Sequence, residues 1–266
     1  MNATELWHNR ELLFFLIWRD VKVRYKQTLL GAAWAILQPV MTAVVFTIFF
    51  GKMAGLDQDT GGLPYRLFVY AGVLPWTFFA TAIASAGNSV VGSERLITKI
   101  YFPRLAIPFA AVGAAVVDFC LAFSVLIAMM VWYRVAPTLQ LLWVPVLVVL
   151  LAFAALGVGT LLAALNVAYR DFRYVIPFMV QLWMFATPSV YLQVTEKTAV
   201  ASYPAIVRYA LLLNPMTGLV ASFRAAALGR PMPWHQLEFS SVIVVGMFLA
   251  GCLYFRKVED SFADKI

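Results

Sequence analysis

The chain has 266 residues, 63% of them hydrophobic and 12% charged, where soluble domains carry roughly 25% charged side chains. So few charges cannot cover a water-soluble globule of this length, which excludes a soluble fold and places the chain in a bilayer. The net charge of +7 reads as membrane orientation rather than nucleic-acid binding, while two cysteines and two histidines exclude a disulfide framework and leave little for a His-based metal site.

Residues 5–27 contain no Gly or Pro. Phe14, Ile17 or Trp18, Val21 and Tyr25 recur at three- and four-residue spacing, with Arg19, Lys22 and Lys26 on another face. This pattern predicts an amphipathic helix lying in the headgroup layer, basic side chains toward anionic lipid. It either anchors the first span or moves with a transport cycle against a cytoplasmic partner. The apolar run 12–18 is too short for a signal peptide and has no small-residue cleavage site, so none is expected.

Stretches nearly free of charge and about 20 residues long predict crossings. Six occur, at 31–51, 67–91, 106–132, 141–166, 175–194 and 238–255. The third contains Asp118, and a carboxylate there costs a few kcal/mol unless paired or hydrated. Three readings stand: a latch to an internal polar partner, a conduit-lining group, or a protonated bystander. Cys120 and Cys252 fall in different spans and read as packing residues.

The uncharged run 209–223 is only 15 residues, about 22 Å as a helix. It is broken at Asn214-Pro215 and flanked by Arg208 and Arg224. Broken backbone must be shielded by protein or line a wet cavity. The segment 196–235 is therefore expected to be an extracytoplasmic excursion with one or two short re-entrant or interfacial helices, the alternative being a surface loop. With the N-terminus inside, 13 basic residues fall in inner segments and 7 in outer ones. The basic bias puts both termini, including the tail 256–266, in the cytoplasm.

No phosphate-binding G-x-x-x-x-G-K-[ST] stretch is present. The spans hold too few ionisable groups for an evident ion-coupling relay and no convergent catalytic cluster. What is left is a non-enzymatic membrane unit driven by a separate subunit. Two inner loops have the character of docking elements. In 93–104, Glu94, Arg95, Leu96, Ile97, Lys99, Tyr101 and Phe102 combine charge with exposed apolar side chains after a helix start at Ser93. In 167–174, Arg170, Asp171 and Arg173 stand between aromatics. They read either as elements inserted into a groove on an ATPase or as plain positive-inside anchors with interfacial Tyr and Phe. The C-terminal tail is a third candidate contact.

The stretches 19–39 (RDVKVRYKQTLLGAAWAILQP), 96–104 (LITKIYFPR), 166–174 (NVAYRDFRY), 181–188 (QLWMFATP) and 213–218 (LNPMTG) resemble the permease subunit of type-2 ABC exporters for lipid-linked polysaccharides. That group covers O-antigen, capsular polysaccharide and teichoic acid export. The resemblance implies an all-α integral membrane protein of the bacterial inner membrane, a homodimer of six-span subunits bound to two copies of a P-loop ATPase. It implies that ATP and Mg are bound by that partner, with no cofactor in this chain. It further implies that 93–104 is the main coupling helix and that 196–235 holds gate helices at the outer mouth, with Tyr209, Asn214, Pro215 and Phe223.

A polyprenyl-pyrophosphate-linked glycan, O-antigen foremost, needs aromatic faces and hydrogen-bonding groups along its path. Trp34, Gln38, Thr42 and Phe46 on the first span and Gln181, Met184, Phe185, Pro188 and Tyr191 on the fifth are the candidate channel lining at the dimer axis. Plain helix packing is the competing reading. Pro39 and Pro188 are placed to kink both spans. Arg19, Lys22, Arg24 and Lys26 are candidates for the pyrophosphate. The alternatives are a type-2 ABC permease for a small amphiphile such as a drug or haem, or a non-ABC channel or carrier.

Overall fold

The computed structural model describes residues 10–26, 30–53, 62–94, 96, 102–190 and 213–262. Among these residues every regular element is helical. The helices are α1 (Arg10–Lys26), α2 (Ala33–Phe46, continued by a π-helical turn Thr47–Met53), α3 (Tyr65–Gly92) and α4 (Ala106–Trp132). A 3-10 turn (Leu139–Trp143) leads into α5 (Val144–Ala168). Then come α6 (Phe172–Phe185), a 3-10 turn (Pro188–Val190), α7 (Pro215–Leu228) and α8 (Trp234–Val258), which ends in a 3-10 turn (Glu259–Ser261).

Among the described residues, five helical segments are long and apolar enough to cross a membrane: Ala33–Gly51, Tyr65–Gly92, Ala106–Trp132, Leu139–Ala168 and Trp234–Val258. The chain is a multi-pass membrane protein. α3 is its central post. Residues on all sides of α3 are buried, among them Leu67, Val69, Ala71, Val73 and Phe79, as expected of a helix that is apolar all round. α4 and α5 run alongside it, and α8 packs on α5. Lipid supplies little hydrophobic drive for helix association, so small residues that let backbones approach decide these contacts. A Cβ on Gly159 would meet that of Ala86 at 2.6 Å, and one on Gly157 would meet the Met247 and Phe248 backbone at 2.7 Å.

The fifth expected crossing differs. α6 has 14 residues, about 21 Å at 1.5 Å per residue, and stops at Phe185 instead of running to 194. The Thr187 hydroxyl bonds back to Trp183 O at 2.8 Å, and Pro188 opens the 3-10 turn. Pro188 thus follows a helix end rather than kinking a helix, whereas Pro39, Pro75 and Pro177 lie inside helices. α7, inside the expected excursion, is more deeply enclosed than a surface loop, with 13 of its 14 residues buried. It begins where α6 stops and ends at Gly229, whose left-handed φ of 67° suits the position after a helix C-terminus.

α1 also departs from expectation. Its Leu16 packs on Ala106 and Ala110, Ile17 sits over Gly113, and Arg24 reaches Asp118. Contacts advance along α1 and α4 together, so the helix climbs beside α4. The docked stripe is Leu13, Ile17, Val21 and Tyr25, whereas Phe14 and Trp18 are exposed.

Candidate functional site

The last turn of α1, the start of α2 and the middles of α3 and α4 enclose a cleft of about 330 Å³. Arg24 and Asp118 form an ion pair across it, and the Tyr25 hydroxyl donates to the same carboxylate. The Arg24 guanidinium also donates to Ser85 Oγ at 3.2 Å. Asp118 therefore has the internal polar partner that its position in an apolar helix demands. α3 adds Thr77 and Thr81 to the wall, four residues apart and hence on one face. Trp34 and Gln38 close the opposite side from α2. A second, open trough of about 910 Å³ shares Arg24 and Ser85 with the cleft and runs past Arg19 and Ser89 to Ser93 and Glu94.

Of the residues expected to line a channel, Trp34 and Gln38 border this cleft. The Thr42 hydroxyl bonds back to Gln38 O at 3.0 Å. Phe46 is a correction: it is 6% exposed and packs edge-on against Phe50 with centroids 5.4 Å apart. Residues four apart drift by about 40° per step on a helix of 3.6 residues per turn. A stripe that starts outward at Trp34 has turned by about 120° at Phe46, into the core. On α6, Gln181 and Phe185 are exposed beside Tyr174, Phe178 and Leu182, while Met184 and Pro188 are half-buried. Of the basic residues assigned to a headgroup, Arg24 is committed to Asp118 and Arg19 pairs with neighbouring Asp20 at 2.8 Å. Lys22 lies over the Trp18 ring at 5.4 Å, and Lys26 is exposed.

The two inner loops are described in part. Glu94 is exposed and Leu96 half-buried; Tyr169, Arg170, Asp171 and Arg173 are all exposed. Phe102 packs under α1. Arg104 donates to Glu259 O, tying the first loop to the turn after α8, where Phe255 and Phe262 are buried. The Asn166 amide donates to Gly87 O at 2.9 Å, holding the end of α5 on α3. Arg95, Ile97, Lys99, Tyr101, Tyr191 and Tyr209 lie outside the described residues.

Asn214 is a junction. Its Oδ1 accepts from the Met216 backbone at 3.1 Å, an N-cap for α7, and from Trp183 Nε1 at 3.0 Å. Its Nδ2 donates to Ala186 O at 3.0 Å and Thr187 Oγ1 at 2.8 Å. Pro215 takes the first helical position, where its missing N–H costs nothing. Phe223, expected at a gate, is a second correction: it is fully buried between Phe119 and Phe123. Asn214→Ala removes the cap, worth about 1 kcal/mol, and strands polar groups worth about 1–3 kcal/mol. The purified protein should unfold several degrees lower, and Asn214→Asp, which keeps both acceptor bonds and loses the two Nδ2 donations, should fall between. Equal melting of all three would contradict the junction.

Residues 11–228 match the family described as ABC-2 type transporter. An O-antigen export system permease protein RfbA from Myxococcus xanthus is 29% identical over 98% of this chain and 98% of its own length. Two proteins of the same description from Klebsiella pneumoniae are 24% and 23% identical, each over 96% of this chain and 94% of its own.

Proposed function

The chain belongs to the ABC-2 type transporter family, and from that premise we propose that it is the permease subunit of an ATP-driven exporter of O-antigen. The carrying observation is end-to-end similarity to O-antigen export permeases together with five apolar crossings. The substrate would be a polyprenyl-pyrophosphate-linked glycan. α6 would be the sixth crossing of each subunit, and a second copy of this chain would meet its exposed face. Gln181 and Phe185, with Tyr174 and Phe178, would then face a conduit at the two-fold axis, where the apolar faces of sugars stack on rings.

A separate P-loop ATPase would supply the energy, with ATP and Mg bound there. Its docking surface would be the end of the bundle bearing Ser93 and Tyr169, which faces the cytosol of a bacterial inner membrane with both chain termini. The exposed Glu94, Arg170, Asp171 and Arg173 support that reading. α7, with the residues before it, would form the outer gate region, held by Asn214. Deleting the chain should remove surface O-antigen and leave lipid-linked glycan inside the cell. A strain that still displays its O-antigen would overturn the proposal, whereas loss of a drug- or haem-export phenotype in its place would favour a small-amphiphile permease.

Reversing charge at the docking end places like charges together, which costs several kcal/mol at an interface. Glu94→Lys and Asp171→Arg should therefore lower co-purified ATPase at least about tenfold while leaving the permease membrane-inserted. ATPase recovery equal to wild type would exclude these two side chains from the interface.

A further inference from the structure

Resting on the export reading, we propose that the cleft between α1, α2, α3 and α4 is the binding site for the head of the substrate lipid. A phosphate sits on Arg24, the first sugar lies against Trp34 and Gln38, and Asp118 holds Arg24 while the cleft is empty.

The basic residues of α1 divide by position. Arg24 and Arg19 border the cleft and its trough, whereas Lys22 and Lys26 do not border the cleft. Arg24 is the guanidinium inside the cleft, and a planar fork of donors suits phosphate oxygens. The wall around it is more polar than a structural ion pair needs. Ser85 already accepts from Arg24, Thr81 and Thr77 continue along the same face of α3, and Gln38 stands opposite. Hydroxyls and an amide beside aromatic faces are what a sugar ring requires, and about 330 Å³ lies within the range of small-ligand pockets. The trough that shares Arg24 and Ser85 leads to Ser93. A charged head thus has a polar path in from the end proposed to dock the ATPase.

The ion pair then has a function beyond stability. A lone cation in an apolar surround is costly, so Asp118 neutralises Arg24 when no substrate is present. An arriving phosphate must displace that carboxylate, whose hydrogen bond from Tyr25 gives it somewhere to remain. Apparent affinity falls by the fraction of time Arg24 is free. Such competition keeps binding weak enough for a transported head to leave.

The test uses the permease–ATPase complex in lipid nanodiscs and a fluorescent short-chain polyprenyl-pyrophosphoryl hexosamine. Parallel arms use the same lipid pyrophosphate without sugar and inorganic pyrophosphate. Arg24→Met/Asp118→Leu replaces the pair by apolar groups, a change that buried ion pairs often tolerate; it should weaken probe binding about 10- to 100-fold. Asp118→Asn should tighten it about threefold or more by removing the competitor. Trp34→Ala should weaken the sugar-bearing probe about 3- to 10-fold and leave the sugarless lipid unchanged.

Wild-type binding by the paired variant, or equal weakening by Asp118→Asn and the paired variant, would reduce the ion pair to a latch and overturn the proposal. Inorganic pyrophosphate binding as tightly as the lipid would assign the cleft to free phosphate and overturn it too. If the paired variant does not fold, a photoreactive group on the probe's sugar decides on the wild-type chain. Labelling of α2 and α3 supports the site, and labelling confined to α6 sinks it. O-antigen loss on deletion, alongside a negative binding result, would leave the export reading standing and remove only the site.

Discussion

Arg224→Ala is expected to destabilise the protein by about 3–5 kcal/mol and to leave little folded permease in the membrane. Arg224 lies on α7 and is 5% exposed. Its guanidinium donates to Ser189 O and to Val190 O at 3.0 Å, the carbonyls of the turn that closes α6. It also lies 3.8 Å from the centroid of Phe68 on α3. One side chain thus joins α3, α6 and α7. A hydrogen bond to a charged group contributes about 1.5–3 kcal/mol, and each carbonyl left buried without its donor costs about 1–3 kcal/mol. A desolvated cation–π contact adds about 2 kcal/mol.

Arg224→Lys keeps the charge but loses the planar guanidinium that lies over Phe68 while one of its nitrogens serves both carbonyls, so it should recover only part of the loss. The approach is tight from the other side as well. A Cβ on Gly72 would fall on the guanidinium and on Val190 O, so Gly72→Ala should damage the same junction. Folded yield after detergent extraction reads both variants, and wild-type yield from Arg224→Ala would refute the account.

Much of the architecture is legible from hydropathy because lipid makes hydropathy the dominant constraint. The stretches at 31–51, 106–132 and 238–255 correspond closely to α2, α4 and α8. Hydropathy counts apolar residues and is blind to backbone continuity, which is why the fifth crossing was expected to reach 194. What stops α6 is local hydrogen bonding at Thr187 together with Asn214, 27 residues on. Arg224 reads in the sequence as a charge flanking the short uncharged run 209–223, since nothing local marks the carbonyls it serves.

The cleft was legible in its parts and not as a whole. Asp118 stands out in an apolar run, whereas Arg24 is one of several basic residues on its helix, and 94 positions separate them. The small residues Ala106, Ala110 and Gly113 let α1 lie against α4, and that packing brings the two together. Where a face was extrapolated over several turns, as from Trp34 to Phe46, helical drift defeated it. At Asn214-Pro215 the sequence reads as a break in the run 209–223, and in the structure the same pair caps and opens α7.

Two glycines on α8, five residues apart, should respond to alanine with opposite signs. Gly251 is buried where α8 crosses α5. A Cβ there would fall on the Gly157 carbonyl oxygen and lie 2.7 Å from Thr160 Oγ1 and 2.9 Å from Gly157 C. Two of those atoms are backbone inside a helix, so relief requires the helix axes to part. Overpacking of this kind costs typically about 1–3 kcal/mol and sometimes more. The gain of about 1 kcal/mol in helix propensity from Gly to Ala does not offset it. Gly246 is exposed and has nothing within 4 Å of its virtual Cβ, so Gly246→Ala keeps the propensity gain without a clash. The expected order of melting temperature is Gly246→Ala at or above wild type, then wild type, with Gly251→Ala well below both. Because α8 ends in the turn that Arg104 grips, parting α5 from α8 should also loosen the end proposed to carry the ATPase. Gly251→Ala should therefore lose co-purified ATPase as well as stability. A Gly251→Ala protein as stable as Gly246→Ala would show that the two helices have room to separate.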